Sequence, residues 1–232
     1  DDNGSSTACE GKSNIVFVDK VTDIVPTLVA DKSQLSLKCN GSSYGKITVT
    51  ATGGKQDEAY SFLLKMQDGS AATTNSTNPN PQGVFEGLKA GVYKVEVSQL
   101  NGGCDTKTVE NITITEETAY KVKYDLEDVK CNGDKNGKIT ITMLPGGEQH
   151  RDGRQRKLTY AISPRLDRFL DKPGGVIDSL APGKYFVIVQ DENGCRPNEI
   201  YLEDQNGTLS RINEDIIEFT IGEPEPLSVS VN

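Results

Sequence analysis

The chain has 232 residues, room for one large domain or two ordinary ones at the usual ~100–200 residues each. Acidic side chains outnumber basic ones by 34 to 25, and the resulting net charge of -9 repels a phosphate backbone, which excludes nucleic acid as a natural partner. No apolar run approaches the ~18–20 residues of a membrane span, and Asp1-Asp2-Asn3-Gly4 has neither part of a signal peptide, so the sequence reads as an internal or processed segment that is not itself membrane-inserted.

In chain order, the first 26 residues read as the C-terminal part of a repeat, because Val21-Thr22-Asp23-Ile24-Val25-Pro26 loosely matches Ile221-Gly222-Glu223-Pro224-Glu225-Pro226. Residues 27–118 form a first full copy and residues 119–226 a second. The register between them is set by Lys38-Cys39-Asn40-Gly41, then Gly45-Lys46-Ile47-Thr48, which recur as Lys130-Cys131-Asn132-Gly133 and Gly137-Lys138-Ile139-Thr140 at an offset of 92. The same offset carries Gly83 to Gly175, Leu88 to Leu180, Gly91 to Gly183 and Tyr93 to Tyr185. Residues 227–232, Leu-Ser-Val-Ser-Val-Asn, open a following copy.

Within each copy apolar residues alternate with polar ones, as in Ile47-Thr48-Val49 and Val92-Tyr93-Lys94-Val95-Glu96-Val97, the pattern of half-buried strands, and strand-like runs recur in Ile139-Thr140-Ile141 and Phe186-Val187-Ile188-Val189. Gly53-Gly54, Gly146-Gly147, Asn101-Gly102-Gly103 and Asn193-Gly194 supply turns between them. No segment carries a helical stripe. The expected fold is therefore all-β, as tandem immunoglobulin-like antiparallel β-sandwich repeats; the absence of Trp disfavours an antibody-type domain. Short connections at 26–28, 117–119 and 224–227 predict a semi-rigid filament.

Cys39 and Cys104 lie 65 positions apart and Cys131 and Cys195 lie 64 apart, and this near-equality predicts one disulfide inside each copy. A metal site or a thiol nucleophile would call for Cys-x-x-Cys clustering or a nearby His. Cys9 occupies the position of Cys104 and Cys195, so its expected partner precedes residue 1. Disulfides imply an oxidising, extracytoplasmic compartment.

Sharper chemistry finds little support. Asp191 and Asn193 could ligate Ca²⁺, but a turn capped by its own Asx side chains explains them more simply, and no metal or other cofactor is expected. Asp57-Glu58 and Glu116-Glu117 read as solvated loop charges rather than paired catalytic carboxylates. The one histidine, His150, lies in an insertion of the second copy with Arg151, Arg154, Arg156 and Lys157, and nothing in the sequence completes a triad around it. That basic cluster is a candidate contact for an acidic glycan or a neighbouring chain, and otherwise an exposed hairpin tip. Asn3, Asn40, Asn75, Asn111 and Asn206 begin Asn-x-Ser/Thr triplets, expected to stay bare in a bacterial protein.

The series Cys-Asn-Gly-x-x-x-Gly-Lys-Ile-Thr, Gly-Gly, Gly-Val-Phe-x-x-Leu-x-x-Gly-x-Tyr, Asp-Glu-Asn-Gly-Cys and a closing Glu-Pro resembles the SprB-type repeat. The first copy departs at Gln99-Leu100-Asn101-Gly102-Gly103 and at Glu116-Glu117. The resemblance implies a segment of a very long surface adhesin of Bacteroidota, exported by type IX secretion, outer-membrane associated and serving attachment and gliding motility. Asp178-Ser179-Leu180 likewise resembles the O-glycosylation motif of that phylum, with Ser179 as the acceptor. The implied partners are neighbouring repeats, surface polysaccharide or other surface proteins, and catalysis is not expected. Carbohydrate-binding or spacer modules of a secreted enzyme are the alternative; such binding would call for exposed aromatic platforms.

Overall fold

The computed structural model describes residues 21–99 and 105–229, which form two β-sandwiches in tandem. In the first, strands β1 (Thr22–Leu28), β2 (Ser36–Leu37), β3 (Gly45–Gly54), β4 (Tyr60–Met66), β5 (Val84–Leu88), β6 (Gly91–Gln99) and β7 (Lys107–Glu116) make two sheets, ordered β1-β3-β5 and β2-β7-β6-β4. Alternation decides which face is buried. Along β6, Tyr93, Val95 and Val97 point inward between half-exposed neighbours, and they pack against Ile47 and Val49 of β3 and Phe85 and Leu88 of β5.

The second sandwich contains β8 (Lys121–Glu127), β9 (Gly137–Met143), β10 (Leu158–Ile162), β11 (Leu170–Asp171), β12 (Val176–Leu180), β13 (Gly183–Asp191), β14 (Glu199–Glu203), β15 (Leu209–Ile212) and β16 (Ile217–Ile221). Its sheets run β12-β9-β8-β14-β15 and β11-β10-β13-β16. The additions relative to the first module are the short β11 and the β14–β15 hairpin, which extends one sheet by pairing β14 parallel to β8. A second, separate core forms around Val122, Ile139, Ile141, Ile177, Val187, Val189 and Phe219. Each fully buried aliphatic or Phe side chain contributes about 1.5–3 kcal/mol toward its own module's core.

The repeated signature has a structural meaning in both copies. Ile47 pairs with Phe85 and Gly45 with Leu88, and the same register recurs as Ile139 with Ile177 and Gly137 with Leu180. The tyrosine of Leu-x-x-Gly-x-Tyr donates its hydroxyl back to the carbonyl four residues earlier, Tyr93 to Lys89 at 2.9 Å and Tyr185 to Ala181 at 3.0 Å. Gly83 and Gly175 both adopt positive φ, and a Cβ there would stand 2.1 Å from the Val49 carbonyl or 1.9 Å from that of Ile141. Only glycine fits that crossing.

One expected boundary moves. The division at 26/27 falls inside β1, whose Pro26 and Leu28 pair with Ala51 and Val49, so this strand opens the first module rather than closing a preceding one. Pro26 is tolerated because β1 is an edge strand and need not donate outward. The expected linker at 117–119 does fall between β7 and β8. Among the described residues no helix is long and apolar enough to cross a membrane.

Candidate functional site

The two modules meet around residues 117–120, and that junction holds a disulfide and a group of buried or half-buried charged side chains. Its covalent element is a disulfide between Cys39 and Cys195, with Cα atoms 5.4 Å apart and 156 residues between them in sequence. This corrects the expected pairing of Cys39 with Cys104 and Cys131 with Cys195. The bond runs from one module to the next, not within either. Cys131 is a free, exposed thiol, and Cys9 and Cys104 lie outside the described residues.

Cys39 is presented by a loop with a built-in frame. Asn40 Nδ2 donates to Glu116 Oε1 and to the Glu117 carbonyl, both at 3.0 Å, and the Gly41 N–H donates to Glu116 Oε2 at 2.7 Å. Gly41 takes φ +76, which lets the backbone turn inside that frame. From the second module Asn198 Nδ2 donates to Asn40 Oδ1 at 2.9 Å, beside the disulfide. The Cys-Asn-Gly motif and the closing Glu therefore act together, as a clamp for the next module.

On the other side, Cys195 follows the Asp191-Glu192-Asn193-Gly194 turn. Asp191 Oδ1 accepts the N–H groups of Asn193 and Cys195 at 3.0 and 2.9 Å, an Asx cap that fixes where the sulfur points. The Tyr120 hydroxyl donates to the Cys195 carbonyl at 2.6 Å, and burial with the neighbouring Asp191 carboxylate pushes its pKa up.

The insertion carrying the basic cluster folds back over this junction. His150 has a fully buried side chain, with Nδ1 3.2 Å from Glu117 Oε2 and Nε2 2.9 Å from Glu192 Oε1. Each ring nitrogen thus faces a carboxylate oxygen, one from the connector and one from the turn before Cys195. Arg156 is also buried: Nη2 donates to the Thr118 carbonyl at 3.0 Å and to Thr118 Oγ1 at 2.9 Å, while the guanidinium lies 4.3 Å over the Tyr120 ring. Its Nε stands 3.5 Å from Asp191 Oδ2, an ion pair in which neither atom makes a hydrogen bond.

Arg156 is therefore not available as a surface ligand contact, and His150 is not part of an exposed tip. The physical reason is local: Asp191 and the Tyr120 ring compensate burial of the Arg156 guanidinium, and Glu117 and Glu192 give the two His150 ring nitrogens polar partners. Arg151, Arg154 and Lys157 remain exposed, Arg154 paired with Asp152 at 2.7 Å and Arg151 reaching Ser36 Oγ of the first module at 3.4 Å. His150, Asp191 and Glu192 lie close enough to suggest a metal set. The Arg156 guanidinium already supplies the positive charge beside Asp191, and both His150 nitrogens face carboxylates, so this arrangement is an ion-pair network. Ser179 is exposed, with φ +61, at the bulge where the first module has Gly87.

The junction makes a pH-dependent contribution with a defined sign. Burial raises the Glu117 carboxyl, but the Arg151 N–H and His150 outweigh it and hold the group below the ordinary value of 4.5. Glu192 is lowered in the same way, burial being outweighed by N–H donors, including that of Lys157, and by His150. Groups that titrate lower folded than unfolded stabilise fully above the ordinary glutamate range, and the contribution is lost as pH falls through the folded values. Thermal unfolding is expected to shift down between pH 5 and pH 3 by a smaller amount in Glu117→Gln than in the parent. Equal shifts in the two proteins would remove Glu117 from this role.

These features define a class: tandem β-sandwich repeats covalently joined module to module. The SprB repeat model matches residues 34–66, within the first module, and the second module repeats the Cys-Asn-Gly motif of that stretch 92 positions on. SprB repeats are modules of cell-surface proteins. No curated protein matches the chain significantly. Among solved structures, the fibronectin(III)-like modules of CbhA from Clostridium thermocellum are 13% identical, with 77% of this chain and 93% of that one covered at a TM-score of 0.31. Immunoglobulin domains 1–5 of Sidekick-1 are 14% identical over 78% of this chain and 40% of that one at 0.35. A C-terminal intimin fragment, solved with the intimin-binding domain of its translocated receptor, is 13% identical over 79% and 66% at 0.32.

Proposed function

We propose that this chain is a load-bearing spacer and adhesive segment of a long bacterial surface adhesin, exported to the outer-membrane surface and serving attachment and gliding motility without catalysis of its own. The observation that carries the proposal is the Cys39–Cys195 bond, which makes the joint between modules covalent in an array that would otherwise bend at each connector. The connector adds to that stiffness, since Glu117, Thr118 and Tyr120 are each held by the second module. In such a segment length and stiffness matter more than any one side chain. Weak contacts from exposed residues such as Arg151, Arg154 and Lys157 to acidic polysaccharide or other surface proteins would gain strength by multivalency.

Cells carrying the intact protein with the second module deleted are expected to display it, shortened, with adhesion or surface movement reduced in degree. Substituting Arg151, Arg154 and Lys157 together is expected to lower attachment to acidic surfaces modestly. A complete loss of function from one exposed carboxylate substitution, with folding and display unchanged, would contradict a distributed role and indicate a discrete site.

A further inference from the structure

The second module carries a copy of the clamp that holds Cys39. Asn132 Nδ2 donates to the Pro224 carbonyl at 3.1 Å and the Gly133 N–H to Glu223 Oε2 at 3.1 Å, the counterparts of the Asn40 and Gly41 bonds to Glu117 and Glu116. Gly133 takes φ +84, as Gly41 takes +76. The frame is thus set, but its load differs. Cys39 and Asn40 are partly covered by the following module, whereas Cys131 and Asn132 are exposed, and Asn132 Oδ1 has no partner among the described residues.

Beside Cys131 the surface dips into a hollow of about 430 Å³ lined by Asn132, Pro224, Pro226 and Leu227. Aligned on the closing Glu, Leu227 and Val229 take the positions of Tyr120 and Val122, the residues that lead into the second core. Tyr120 is 2% exposed and Val122 fully buried; Leu227 is 101% exposed and Val229 86%. Leu227 and Val229 alternate with Ser228 in the apolar–polar pattern of a half-buried strand, yet both are exposed.

We propose that Cys131 is the attachment point for a further copy of this repeat, built on the strand that begins at Leu227, and that it bonds the cysteine of that copy standing where Cys195 stands here. The disulfides then form a relay in which the Cys-Asn-Gly cysteine of each module ties to the Asn-Gly-Cys cysteine of the next. Formation of each link takes two thiols and one low-molecular-weight disulfide as oxidant. One protein thiolate attacks the oxidant, releasing one small thiolate and leaving a mixed disulfide; the second protein thiolate attacks the protein sulfur of that mixed disulfide and expels the other small thiolate, so that one protein S–S bond forms and the two protons given up by the protein thiols end on two small thiols.

The inference rests on the array reading above but is tested apart from it. Residues 1–226 are joined to a copy of residues 120–226 that carries Cys131→Ser, to leave one Cys131, and Asn206→Gln, to mark the added Cys195 peptide by mass. After folding in a glutathione redox buffer, non-reducing peptide mapping is expected to join Cys131 to the marked peptide. Alkylation of Cys131 should fall at least tenfold relative to the parent 232-residue chain. A second chain, ending instead in a copy of residues 24–118 with its own Cys39→Ser, offers Cys104 at the equivalent position and covers the case in which one added module does not fold. Cys131 remaining fully alkylatable in both chains overturns the relay. If small-angle scattering still shows those chains extended, the relay alone fails and the spacer role stands.

Discussion

Serine in place of Cys195 is expected to uncouple the modules while leaving each folded. The bond closes 156 residues, for which restriction of the unfolded chain corresponds to up to about 5 kcal/mol at room temperature, with native-state relaxation reducing the measured value. The first effect should be in shape. Without the bond, the Cys39 loop meets the second module mainly through Asn198 on Asn40 and Arg151 on Ser36, contacts of about 1 kcal/mol each that cannot hold a fixed angle against thermal motion. Small-angle scattering of Cys195→Ser should therefore show a broader distribution of end-to-end distances than the parent, and Cys39→Ser should match it. Thermal unfolding should begin earlier in both, with β-sheet content at low temperature unchanged. Identical scattering and melting in parent and variants, or recovery of a Cys39–Cys104 peptide on mapping, would refute the intermodule link.

The strands were legible because their determinants are local. Val92–Val97 alternates whatever surrounds it, and the offset that aligns Ile47 with Ile139 also aligns their partners Phe85 and Ile177 across the sheet. The cysteine partners were not legible in that way. Equal spacings of 65 and 64 fix where each cysteine stands inside a module, but a bond from module to module preserves the same periodicity as a bond within one. Which of the two forms is decided by the direction in which the Asn40 loop and the Asp191 turn face, and that direction is a property of the packed junction.

The basic insertion shows a second limit. Charge and hydrophilicity place residues 149–157 at the surface, and most of them are exposed, yet His150 and Arg156 turn inward. No hydrophobic period marks them. Their compensating groups, Glu117, Tyr120, Asp191 and Glu192, are spread across the connector and the far end of β13, and only the fold brings them together. The available signal was compositional: the second copy alone has both the insertion and an aromatic residue, Tyr120, just before its first strand.

Arg156→Ala is expected to be among the most destabilising single substitutions in the second module. Its guanidinium side chain is 1% exposed and supplies the positive charge beside the equally buried Asp191. Truncation removes that charge, the stacking on Tyr120 and both bonds to Thr118 in one step. Breaking a buried pair by removing one partner costs about 3–5 kcal/mol, most of it the penalty of the charge left behind, whereas replacing both partners by neutral groups is far milder. Arg156→Met with Asp191→Asn should therefore recover a large part of the loss, since Asn can still accept the Asn193 and Cys195 N–H groups through its Oδ1. Changing the exposed Arg154 and Lys157 instead should leave stability within about 0.5 kcal/mol per site. Urea unfolding under oxidising conditions measures all of these on one scale, and coupling between the single and double variants isolates the pair. A cost below about 1 kcal/mol for Arg156→Ala, the range of an ordinary surface substitution, would mean that Asp191 does not depend on this arginine and that the connector is held by the His150 bridge and the disulfide instead.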